Sequence, residues 1–233
     1  HEDTQPPLMG ACIPDPGRVT PHSVLRPGIS IGEKKTWGTL GMFVVDAWGT
    51  LCLLSAKHVL APVGHAEDRP VRHPAPKDHG PEAPVVASLW WWDDALDVAL
   101  AKIATGTVCT PEIMETGQVI KSFRAPRKGD VLEKSGRSTG TTRAVVVEER
   151  RPVGGIPSAF ILERLPGEDG PISCEGDSGA IWYDPETGEG VGMLHGGEVE
   201  VGRAVGVSLT LIRSSWDIEP WNGTFIENQD LGQ

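Results

Sequence analysis

Short apolar runs recur along the chain, separated by polar stretches rich in glycine and proline. Within 97–103, Val98 and Leu100 alternate with Ala99, Ala101 and Ile103, and 51–54 is apolar throughout, as expected of buried strands. The pattern predicts strands at 39–46, 50–55, 84–90, 97–103, 117–123, 130–136, 142–149, 158–164, 179–183, 190–195 and 204–212. With Gly 29 and Pro 20 among 233 residues, the turns between them are well supplied, and the fold class is all-β. The spacing suits two packed antiparallel six-stranded barrels of Greek-key hairpins, the second opening near Val131. The first barrel would cover about 28–105 and the second about 129–212, with a linker at about 106–128.

Three segments of this pattern carry candidate chemistry. Cys174-Glu175-Gly176-Asp177-Ser178-Gly179-Ala180 reads as a nucleophilic serine held in a glycine-lined turn. A serine hydroxyl needs an adjacent base and a place for the developing oxyanion. Gly176 and Gly179 allow a turn tight enough to aim the N–H groups of Gly176 and Ser178 into one small pocket, although the same residue types also make ordinary turns. His58 stands where the apolar strand ends, and imidazole is the side chain suited to proton shuttling at neutral pH. A histidine after an apolar run is more often structural. Asp97 opens a buried strand from its apolar edge, where a carboxylate needs a partner such as an imidazole N–H, whereas Asp93 and Asp94 look solvated.

The order His58, Asp97, Ser178 is that of one known arrangement of the serine triad. On these residues the chain resembles the trypsin-like (chymotrypsin-fold) serine peptidases over roughly 28–215. Ser55-Ala56-Lys57-His58 is similar to that family's Ala-Ala-His segment, and Leu96-Asp97-Val98-Ala99-Leu100 to its Asp-Ile-Ala-Leu strand. Gly176-Asp177-Ser178-Gly179 matches its signature unchanged. Arg26-Pro27-Gly28-Ile29-Ser30-Ile31-Gly32, Gly38-Thr39-Leu40-Gly41 and His58-Val59-Leu60-Ala61 look closer to a non-secreted branch, found in bacteria and in plant narrow-leaf-type proteins.

The resemblance implies a peptidase domain over 28–216, with an extended segment at 1–27, a tail at 217–233 and an active site in the cleft between the barrels. It implies a serine endopeptidase working through an acyl-enzyme on protein or peptide substrates, with no cofactor and no metal. His58 would be the general base, Asp97 would fix its tautomer, and the amides of Gly176 and Ser178 would hold the oxyanion. The position six before the nucleophile, Ile172, would floor the primary pocket, and Gly196 and Gly197 would leave its entrance open for a substrate strand. His195 has three readings: a hydrogen bond to Asp97 from behind, recognition of an acidic or amide side chain with Arg203, or plain packing. The alternatives to a peptidase are a latent domain used for binding, or one that processes itself or a single partner.

Other features narrow the setting. No cysteine follows Cys174 to serve as its usual family partner, and Val59 replaces a second family cysteine, so no family disulfide is expected and a reduced, cytoplasmic setting is favoured. The sequence shows no signal peptide and no apolar stretch of membrane length, and Asn222-Gly223-Thr224 is a glycosylation sequon that matters only after secretion. The start, His1 to Pro7, is polar, looks disordered and differs from the end freed by zymogen cleavage, so Asp177 needs another partner or acts as a buried turn-former, and control by a larger assembly, a fused domain or a partner protein is expected. A net charge of −11 argues against nucleic-acid and anionic-membrane partners. Segment 61–84, with His65, Asp68, His73, Asp78 and His79, fits no metal-ligand spacing and reads as a long surface loop, while Trp90-Trp91-Trp92 places one or two rings in the core. Gly136 to Gly140 lacks the ending of a phosphate loop.

Overall fold

Six strands between Val131 and Ser208 close into a barrel in a computed structural model that describes residues 12–61, 68–198 and 202–223. Around it run Val131–Gly136, Gly140–Val153, Ile156–Glu163, Arg203–Ser208, Gly190–Glu198 and Ile181–Tyr183, the last pairing back to the first. All of these pairs are antiparallel. The interior is filled by Leu132, Val146, Phe160, Leu162, Trp182 and Leu194. Gly192 and Gly206 sit against the Phe160 ring, where a Cβ would come within 2.2 and 2.3 Å of it.

The N-terminal half forms a six-stranded antiparallel sheet rather than a second closed barrel. Its order is Ile218–Pro220, Met42–Asp46, Leu51–Ala56, Val98–Ile103, Val85–Asp93 and Pro70–Arg72. Every residue of Leu51–Ala56 is buried, Ser55 included, which accounts for the apolar run at 51–54. A large apolar cluster centred on this sheet extends to Met193, Val207 and Leu209 of the barrel side, joining the two halves.

Several expectations are corrected. Residues 117–123 form no strand: the chain turns through Glu115 (φ 70°) and Gly117 (φ 67°), and only Phe123 makes a bridge, to Gly190. Its apolar character serves packing instead, with Ile120 buried in the core. The strand expected over 204–212 stops at Ser208 and gives way to the helix Leu209–Ser215, which buries Leu209 and Ile212 three residues apart on one face. Part of the expected tail, Ile218–Pro220, is a strand paired to Met42–Asp46. Segment 61–84 is more than a loop: it holds the strand Pro70–Arg72 and the helical turn Pro76–His79, with 62–67 outside the described residues. His73 in it is a core histidine, its Nδ1 donating to the Ser30 carbonyl (2.6 Å) and its Nε2 accepting from the His22 amide (3.0 Å). Of the tryptophans, Trp90 donates to Asp46 and lies under Lys102, and Trp91 stacks on Trp216; all three pack against the core.

The cysteine reading is also corrected. Cys174 does have a partner: it is disulfide-bonded to Cys12, with Cα atoms 6.1 Å apart, while Cys52 and Cys109 are free and buried. Within the 1–27 segment, the described part packs closely: Arg18 is fully buried and donates to Gly28 O and Ser135 Oγ, and Val24–Leu25 pairs with Val108–Cys109. The start read as disordered, His1 to Pro7, lies within residues 1–11, outside the described residues. No helix among the described residues is long and apolar enough to cross a membrane.

Candidate active site

His58 is carried on the turn Lys57–Leu60, which directly follows Leu51–Ala56 and is anchored by buried Val59 and Leu60. The Lys57 amide donates to the Asp97 carbonyl at 2.8 Å, tying this turn to the one that carries the aspartate. That second turn is shaped by Asp93, whose Oδ1 takes the amides of Ala95 and Leu96. Asp97 itself has φ 52°, an uncommon conformation for a residue other than glycine, just before Val98–Ile103 begins.

The Asp97 carboxylate is saturated with donors. Its Oδ1 accepts the His58 amide at 3.0 Å, and its Oδ2 faces His58 Nδ1 and His195 Nδ1, each at 2.6 Å. Burial alone would raise its pKa, but the hydrogen bonds and charges of His195 and His58 outweigh that and hold it at about 2. Asp97 is therefore ionised near neutrality and acts only as an acceptor, so both imidazoles carry their proton on Nδ1. Among the described residues, His58, Asp97 and His195 are the one set of such side chains with donor atoms within 4.8 Å of one another.

Ser178 stands in the turn that follows Cys174. Gly176 (φ +99°) and Gly179 (φ +94°) adopt left-handed conformations, and neither has room for a Cβ, which would lie 2.5 Å from Ser138 Oγ and 2.1 Å from Ser55 Oγ respectively. Thr39, in the short strand Gly38–Thr39 that pairs with Ser30–Ile31, clamps the turn, its amide donating to Ser178 O and its hydroxyl to Gly176 O, both at 2.9 Å. The Gly179 amide donates to Leu194 O at 2.9 Å on the barrel side. Among the described residues the amides of Gly176 and Ser178 have no acceptor. The Ser178 hydroxyl donates to the carbonyl of His195 at 3.1 Å, and no hydrogen bond joins it to His58.

Beneath the turn lies a partner that the sequence reading did not name. Asp177 is fully buried and accepts from the Ser138, Thr139 and Cys174 amides and the Thr139 hydroxyl, with Lys134 Nζ at 3.4 Å. Burial raises the Asp177 pKa, but the Lys134 ammonium and these hydrogen bonds prevail and hold it below the ordinary carboxylate value. Lys134 shares a strand face with buried Leu132, and this period-two position is the signal that could have marked it as an inward-facing cation.

Ile172 is buried in the barrel core and lines a cavity of about 320 Å³ with Glu133, Thr142, Arg143, Arg164 and Glu168, a lining that does not include His58 or Ser178. A Cβ at Gly196 would meet open space, whereas one at Gly197 would lie 2.5 Å from Ser173 Oγ. Arg203 pairs with Glu163.

No family model and no curated protein matches this chain. Solved structures do. Thermobifida fusca protease A superposes with a TM-score of 0.67 at 13% identity, over 86% of this chain and 100% of that one. A glutamic acid specific serine protease, which uses a histidine triad in substrate binding, gives 0.65 at 16% identity, over 84% and 100%. Nocardiopsis protease gives 0.63 at 13% identity, over 84% and 99%. At these identities the likeness is one of architecture, and the chain has the chymotrypsin fold of bacterial serine proteases.

Proposed function

We propose that this protein is a serine endopeptidase that hydrolyses peptide bonds through Ser178, His58 and Asp97. The observation that carries the reading is the 2.6 Å contact between His58 Nδ1 and the ionised Asp97, which leaves Nε2 as the basic atom. His58 takes the Ser178 proton as Ser178 Oγ attacks the substrate carbonyl. The open amides of Gly176 and Ser178 hold the oxyanion, and the imidazolium then protonates the leaving amine. Water hydrolyses the acyl-enzyme by the same steps. Protein and peptide substrates follow from this reading and from the protease neighbours.

The Lys134–Asp177 pair supplies internally the cation that a freed N-terminus would otherwise bring, so the turn needs no zymogen cleavage to form. The Cys12–Cys174 disulfide removes the argument for a reducing compartment that rested on unpaired Cys174.

A latent binding or self-processing domain is the second reading, favoured by the Ser178 hydroxyl pointing to His195 O rather than to His58. A fluorophosphonate probe tests the two. The peptidase reading expects labelling of the parent and none of Ser178→Ala or His58→Ala; an unlabelled parent would support the latent domain.

A further inference from the structure

His195 touches both ends of the candidate site. Its ring Nδ1 lies 2.6 Å from the same Asp97 oxygen that takes His58 Nδ1, and its backbone carbonyl takes the Ser178 hydroxyl. The two rings stand edge to face with centroids 5.7 Å apart. Since each Nδ1 already carries a hydrogen, either ring gains a second proton only at Nε2. One carboxylate charge then serves two imidazoles and balances one imidazolium.

Resting on the peptidase reading, we propose that His195 is a positioning residue whose neutral ring is required for His58 to act as base, so that two protons rather than one shut the site on the acid side. When His58 takes the serine proton it becomes the cation that Asp97 balances. If His195 is already charged, His58 would have to become a second cation in contact with the first. Neighbouring elements bring other charges: Lys57, paired with Asp94, beside His58; Asp93 in the Asp97 turn; Asp177, committed to Lys134, and exposed Glu175 in the serine turn; and Arg203, paired with Glu163, on the adjoining strand. Of all these groups, His195 is the one that shares the Asp97 oxygen with His58.

The test is the pH dependence of fluorophosphonate labelling for the parent, His195→Ser and His195→Asn, together with nitrogen NMR of histidine-labelled protein. The expected result is an acid limb in the parent that steepens from one proton to two as pH falls, and one-proton limbs in both variants. NMR should show two neutral rings protonated at Nδ1 that titrate in separated steps, and one-step titration of His58 in the variants. A one-proton limb in the parent, or a neutral His195 protonated at Nε2, overturns the inference and leaves the peptidase reading intact. If the parent is not labelled at any pH, the peptidase reading fails, and the requirement for a neutral His195 fails with it.

Discussion

At the scale of single residues, the candidate chemistry was legible wherever it depends on local backbone needs. Gly176 and Gly179 were marked by their place around Ser178, and both prove to sit where φ is positive and a side chain would collide. His58 and Asp97 were marked by standing at strand ends, and the folded chain brings them into contact. The counter-ion of Asp177 was not legible, because Lys134 lies 43 positions earlier (177 − 134) and is brought in only by barrel closure. Replacing it leaves a buried carboxylate with hydrogen bonds but no cation. Lys134→Met is expected to lose about 3–5 kcal/mol of stability, with loss of fluorophosphonate labelling as the serine turn deforms. Denaturant unfolding measures the first effect; an unchanged midpoint would show that the hydrogen bonds suffice alone.

Secondary-structure elements were read well where an apolar run pairs on both sides, as in Leu51–Ala56, and poorly where an apolar run serves another purpose. Residues 117–123 carry Val119, Ile120 and Phe123 yet form a loop whose side chains cap the core. Ile218–Pro220 is the opposite case, too short to stand out but paired to Met42–Asp46. That edge strand is held by Ile218, fully buried, and by Trp221, which meets the Phe43 ring edge-on at 5.8 Å. Trp221→Ala should cost about 3 kcal/mol, read as a lower midpoint in chemical denaturation. An effect under about 0.5 kcal/mol, the range of substitutions at ordinary surface sites, would mean that the strand adds nothing to the sheet.

Over the whole molecule, long-range contacts decide how stability answers to pH. His73 is wedged between Ser30 and His22, and burial is the main reason its pKa falls from 6.5 to about 4. A histidine kept neutral in the fold is protonated more readily once unfolded, so stability drops as pH falls below 6.5 and levels off near 4. Between pH 7 and 5 the parent should lose about 2 kcal/mol through this group. His73→Gln, less stable at pH 7, should lack that loss; parallel pH curves for the two proteins would exclude it. The sequence by itself determined the all-β class, the rough strand positions and the short-range chemistry of the serine turn, because these follow from side-chain alternation and glycine backbone freedom. Only the tertiary structure decided that one half closes as a barrel and the other stays a sheet, that Cys12 reaches Cys174, and that Asp97 is shared by two histidines. Each of these joins residues far apart in the chain, where periodicity carries no information and packing alone selects the partner.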